Sequence, residues 1–205
     1  MTLLTEKEAE QVSAAIHEVE TQTDAELVVV LARQADSYLY IPTLWAALIA
    51  LLSPSVVMLT PFWLEVGEVL LIQLLVFVVV ALLLRIPALT HRIIPSGVKR
   101  FRAENLSRRM FLENNLHHTV GETGVLIFVS EAEHYVEIIA DRGINDRVEQ
   151  ADWQGIVDGL TAAIKSGQHA DGFQNAVAAC GKLLQEHVPK TTDKNELPNH
   201  LIILD

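Results

Sequence analysis

The feature that most constrains this chain is a stretch between Ile41 and Leu84 that is almost without charge. Ile41–Leu64 has no charged residue over 24 positions and Val69–Leu84 has none over 16, with Glu65-Val66-Gly67-Glu68 between them. About 20 mostly apolar residues let a helix cross ~30 Å of hydrocarbon. The first run is long enough as it stands. The second is long enough once Val66 and Gly67 join it and Arg85 reaches back to the headgroups. Neither run has the polar face that a helix on a soluble domain shows. The expectation is a transmembrane hairpin over 41–84, with helices at 44–63 and 66–84. Ser53-Pro54-Ser55 lies mid-span in the first helix, and the missing proline N–H predicts a kink there. Gln73 either bonds a Ser53 or Ser55 hydroxyl across the hairpin or meets water near the headgroups.

Charge orients the hairpin. Seven of the fifteen basic residues fall between Arg85 and Arg109, whereas the chain as a whole carries a net charge of −11. The tip holds Glu65 and Glu68 and no basic residue. The positive-inside rule then predicts an integral inner (plasma) membrane protein with both termini and the soluble domain cytoplasmic. Met1–Thr23 is acidic and polar and does not read as a secretory signal. Arg85, Arg92, Lys99, Arg100 and Arg102 are expected to meet anionic headgroups of the bilayer. No aromatic stacking platform accompanies them and the balance of charge is acidic, so no nucleic-acid partner is expected. The lone Cys180 excludes a disulfide scaffold.

The flanks read as alternating helices and strands. Thr5-Glu6-Lys7-Glu8 is a capping box with Leu4 as its staple, followed by a helical face of Ala9, Val12, Ile16 and Val19. Glu26–Leu31, a nearly continuous apolar run, suits a strand buried on both faces. Residues 87–95 read as an irregular connector. Residues 98–118 read as a helix with Phe101, Leu106, Met110 and Leu116 turned to the core. Gly124–Val129 and Tyr135–Ala140 form strands joined by a short turn, hence an antiparallel hairpin. Helices at about 146–166 and 171–187 follow. Phe173, Val177, Cys180 and Leu184 form one stripe of the last, which makes Cys180 a core thiol. The fold class is an α/β sandwich, a mixed sheet flanked by helices, with an inserted two-helix transmembrane hairpin. Its parts are 1–36 (first helix and strand), 41–84 (hairpin), 85–97 (basic connector), 98–189 (the rest of the sandwich) and 190–205 (polar tail with an apolar tip).

Several segments together resemble the TPM domain family, also called the TPM phosphatase domain. They are Asp24–Val30, Gly124–Ser130, the strand ending in Ala140-Asp141-Arg142-Gly143-Ile144, Trp153 with Ile156-Val157, and the helix around Gly172-Phe173 and Ala176-Val177. Asn195–Asn199 is similar to the tail of a bacterial membrane subgroup. The resemblance covers roughly 1–36 and 98–189. It implies the TPM-type sandwich and, for the phosphatase branch, a divalent-metal-dependent hydrolase.

Two functional readings result. In the first, the chain is a membrane-anchored scaffold or assembly factor whose partner is another membrane protein or a second copy of itself. The apolar tip Leu201, Ile202, Ile203 and Leu204 then either adds to a partner's sheet edge or folds back. In the second, Asp141, Asp146 and Glu131 hold Mg²⁺ or Ca²⁺ and Arg142 neutralises a phosphoryl group. Against this, Asp146 can be read as a helix N-cap and Asp141–Arg142 as a surface pair. No Gly-rich phosphate loop and no Gly-x-Ser-x-Gly occurs, and the adjacent His117 and His118 point to different sides.

Overall fold

The computed structural model describes residues 3–61, 63–191 and 200–204. The chain forms two compact units, one from 1–35 and 100–205 and the other from 36–99.

The first unit is built on a four-stranded mixed sheet in the order β3-β2-β1-β4. Its strands are β1 (Glu26–Ala32), β2 (Gly124–Ser130), β3 (Tyr135–Ala140) and β4 (His200–Leu204). β1 pairs in parallel with β2, Glu26 opposite Gly124, and on its other side in parallel with β4, Val28 opposite His200. β2 and β3 form the antiparallel hairpin expected from their short turn, with Val125 opposite Ala140. The unbroken apolar runs of β1 and β2 follow from their central positions, for every residue of both strands is buried.

Alternate side chains of these strands serve two cores. Leu27, Val29, Leu31, Val125, Ile127 and Val129 pack beneath helices α1 (Glu6–Glu20), α7 (Gln150–Lys165) and α8 (His169–His187). Val28, Val30, Leu126 and Phe128 face the opposite way, onto Ala103, Leu106 and Met110 of α5 (Ser96–Glu113). The result is a three-layer α/β/α sandwich. The capping box of α1 is present, Thr5 N–H donating to Glu8 Oε2 at 2.7 Å, and Leu4 is buried beside it. Phe173, Val177, Cys180 and Leu184 form the fully buried stripe of α8. Burial pushes the Cys180 thiol up to about 12, so it stays a protonated core group.

The 98–118 helix differs from expectation in two ways. It ends at Glu113, where Asn115 takes a left-handed conformation (φ 55°) and a short 3₁₀ turn, Leu116–His118, follows. Phe101, expected in the core, is 59% exposed. The inward arc is already filled by Ala103, Leu106, Ser107, Met110 and Phe111, and Phe101 falls on the opposite side.

The second unit contains α2 (Tyr40–Met58), α3 (Val66–Leu84) and α4 (Pro87–Ile93). α2 and α3 are each 19 residues long and pack on each other. α3 begins where expected, because Glu65 and Glu68 form a capping box, Glu65 N–H to Glu68 Oε2 at 2.9 Å. α2 is displaced from 44–63. It starts earlier because buried Tyr38 and Ile41 cluster with Ile94. It stops before Thr60-Pro61 because a residue preceding proline resists the helical conformation. Residues 87–95, expected to be irregular, contain α4, with Pro87 at its first position, where the missing N–H costs nothing. Pro54 lies inside α2 and has no N–H for the Ala50 carbonyl; the Ser53 hydroxyl donates to that oxygen instead at 2.8 Å. The Ser53 hydrogen is therefore used within its own helix, and among the described residues Gln73 makes no bond to Ser53 or Ser55. Ile41, Pro42, Ala46 and Ala50 are the buried positions of α2, and the last three form a small-residue stripe of the kind that lets two helices approach closely.

Candidate functional site

Asp141 follows the end of β3 and caps the short helix α6 (Arg142–Asn145). Its Oδ1 accepts from the Arg142 N–H at 2.8 Å, and its Oδ2 is buried with no hydrogen-bond partner. Its backbone N–H donates to Gly124 O at 2.9 Å, tying it to the start of β2. Asp146 follows at the exposed C-terminal end of α6 and is not an N-cap; Glu149 precedes α7. Close packing sets this corner. A Cβ at Gly143 would stand 2.1 Å from Gly121 O, and one at Gly124 2.2 Å from Leu116 O. Arg142 is exposed on the first turn of α6, and its backbone, not its guanidinium, meets Asp141.

Glu131 lies at the opposite end of the sheet. It follows Ser130, which pairs with Tyr135 at the start of β3, whereas Asp141 follows Ala140 at the end. Six strand residues separate the two ends by about 20 Å at ~3.3 Å per residue. One cation therefore cannot be shared by Glu131, Asp141 and Asp146, and this corrects that ligand set. Among the described residues no three His, Cys, Asp or Glu side chains are grouped to hold a metal ion. Glu131 instead lines a cavity of about 370 Å³ with Ser130, His134, Tyr135, Thr161 and Lys165. The neighbouring Glu133 is a structural staple. Its Oε2 accepts from the Ala35 N–H at 3.0 Å and from the Ser130 hydroxyl. Tyr135 is held strongly to its protonated form, first by burial and then by the charge of Glu137. Glu137 also accepts from the buried Ser107 of α5.

The five basic residues expected at a bilayer divide between the units. Arg85 caps the C-terminus of α3 and Arg92 lies on α4, both exposed, while Lys99 is half-buried. In the sandwich, Arg100 is exposed and Arg102 half-buried. The tip residues Leu201, Ile202, Ile203 and Leu204 fold back. They form β4 against β1, and Arg33 N–H adds a further bond to Leu204 O at 2.8 Å. Of the two alternatives for the tip, the structure shows the folded-back one, with β4 as the edge strand beside β1. Asn195–Asn199 lies outside the described residues.

Sequence reading missed one titratable group. Glu20, the last residue of α1, is 9% exposed, with Oε1 accepting from the Leu27 N–H at 3.4 Å and Oε2 unpartnered. Burial, and then the charge of Glu26, raises its carboxyl to about 7. A glutamate at a helix end carries no pattern that distinguishes it, so only the packing reveals it.

The three-layer sandwich, with its parallel pair and its antiparallel hairpin, defines the class as an α/β module. Residues 92–183 match the TPM domain family, which bears out the resemblance over that stretch; Asp24–Val30 lies outside it. The matched stretch begins after β1, the strand that the structure pairs with β2. Among solved structures, the NMR structure of the BA42 protein from the psychrophilic bacterium Bizionia argentinensis is similar in fold. It has a TM-score of 0.60 and 18% identity, over 98% of this chain and 94% of that one. No curated protein matches the chain.

Proposed function

We propose that this is an integral membrane protein that holds a TPM domain at the cytoplasmic face of the inner membrane, where it serves as a scaffold or assembly factor for another membrane protein. The observation that carries the anchor is α3. This 19-residue helix has no charged residue beyond Glu68 in its first turn and no buried residue, and side chains such as Leu70, Leu74 and Leu82 are more than half exposed. With α2 it is one of two helices among the described residues that are long and apolar enough to cross a bilayer. An exposed apolar surface of that extent is costly in water and favourable in lipid. The bond from Ser53 to Ala50 supports the same reading, because a carbonyl freed by proline needs an internal donor in hydrocarbon. Extraction of native vesicles with alkaline carbonate tests the anchor: the protein stays with the membrane, and release into the supernatant refutes it. Cross-linked purification from those membranes tests the scaffold. A reproducible membrane-protein partner supports it, and recovery of the chain alone counts against it.

A second reading, a divalent-metal-dependent phosphatase, is favoured by one observation, the buried and unpartnered Oδ2 of Asp141. A cation held by Asp141 and Asp146 would supply the missing partner and polarise a phosphoryl oxygen. Phosphate release from an aryl phosphate that requires Mg²⁺ or Ca²⁺ and is lost in Asp141→Asn supports it. Equal release by both proteins, or none, removes it.

A further inference from the structure

Helix α5 carries two apolar stripes. The inner one, Ala103, Leu106 and Met110, is used by the sheet. The outer one, Phe101 and Leu112, is 59% and 55% exposed, and among the described residues it belongs to neither core cluster of the sandwich. Phe101, Arg108 and Leu112 stand at offsets of 0, +7 and +11, one line along the helix at about 100° per residue. Arg100, Arg108 and Arg109 are exposed around that line. Glu104 and Glu113 are bridged to Arg108 and Arg109 by i,i+4 pairs at 2.5 and 3.6 Å. Such solvent-exposed pairs contribute little, so the guanidinium groups can turn to other anions.

We propose that the outer face of α5, Phe101 and Leu112 with Arg100, Arg108 and Arg109, lies on an anionic phospholipid surface, with the two apolar side chains in the headgroup–acyl boundary. This rests on the membrane reading above. Two observations select lipid over a protein partner. The face is basic in a chain that is acidic as a whole, and it combines arginines with large apolar side chains, as interfacial helices do. The chain also reaches Ser96, the first residue of α5, only twelve positions after α3 ends at Leu84, so a bilayer that holds α3 is within reach.

The test uses the full chain with Cys180→Ala as background, spin-labelled singly at Phe101→Cys, Leu112→Cys, Gln154→Cys or Leu74→Cys. The protein is reconstituted in vesicles of phosphatidylglycerol and phosphatidylcholine. The labels at 101 and 112 should favour oxygen over a water-soluble nickel chelate, as the label at 74 does, while the label on α7 at 154 favours the chelate. Replacing Phe101 with Ser should shift the equilibrium read at position 112 toward the aqueous state by about tenfold or more, the equivalent of ~1.5 kcal/mol. Arg108→Glu with Arg109→Glu should do the same in these vesicles but not in phosphatidylcholine alone. Labels at 101 and 112 as aqueous as the one at 154 overturn the proposal. So does exclusion of both reagents, which would mean that protein covers the face. If the label at 74 is aqueous too, the membrane reading itself has failed.

Discussion

Glu20 gives the sharpest quantitative expectation. In the native chain its carboxyl is raised from 4.5 to about 7, by burial first and by Glu26 second, with Lys190 acting against them. A raised carboxyl binds its proton more tightly folded than unfolded. Its contribution is therefore fully present below pH 4.5 and is lost as pH rises to about 7. At ~1.4 kcal/mol per pH unit the full effect is ~3.4 kcal/mol. The carboxylate retains some access to solvent, which screens its charge, so about half of that, 1–2 kcal/mol, is the working figure. Glu20→Gln removes the ionisation while keeping an acceptor for the Leu27 N–H. The variant should be more stable than the native protein by about 1–2 kcal/mol at pH 8 and by less than about 0.5 kcal/mol at pH 5. For a domain of this size that is a gain of roughly 3–6 °C in Tm at pH 8. Melting curves of both full-length proteins in the same detergent at the two pH values measure it. A difference in Tm that does not change between pH 5 and pH 8 refutes the reasoning, because a packing effect would not depend on protonation.

Other consequences follow from particular contacts. Gly124→Ala should destabilise the sandwich by about 1–3 kcal/mol, since the added Cβ meets the Leu116 carbonyl at 2.2 Å; a denaturant midpoint matching that of the native protein would contradict it. Gly155 and Gly159 of α7 have open space where a Cβ would stand, so alanine at each should add roughly 0.5–1 kcal/mol in the same assay. Ser53→Ala should weaken the hairpin by about 1 kcal/mol, as read by steric trapping in bicelles, and Ser53→Ala with Pro54→Ala should recover it by restoring the backbone bond to Ala50. Cys180 should react with maleimide at pH 7.5 only after unfolding, because its thiol is fully buried and raised to about 12.

Much of the fold is local enough to be legible in sequence. The capping box at Thr5, the unbroken runs of β1 and β2, the short turn between β2 and β3 and the stripe from Phe173 to Leu184 each depend on neighbours a few residues away. The apolar helices were equally plain, because the absence of charge is a compositional fact. Sequence and structure part where one residue type serves two purposes. Phe101 reads as core because it is apolar, yet α5 has a complete inner face without it. Pro87 and Pro95 suggested an irregular connector, but a proline at the first position of a helix is compatible with α4.

The candidate site shows the same division. The sequence by itself determined which carboxylates border the strands, and it supplied the TPM-like strand motifs. Only the tertiary structure decided that Glu131 and Asp141 stand at opposite ends of the sheet, because strand direction converts six residues into about 20 Å. It also decided that the tip His200–Leu204 closes the edge of β1, and that Glu20 is enclosed beside Glu26. Pairing partners and burial depend on segments far apart in the chain meeting in space, whereas periodicity and composition are properties of a segment alone.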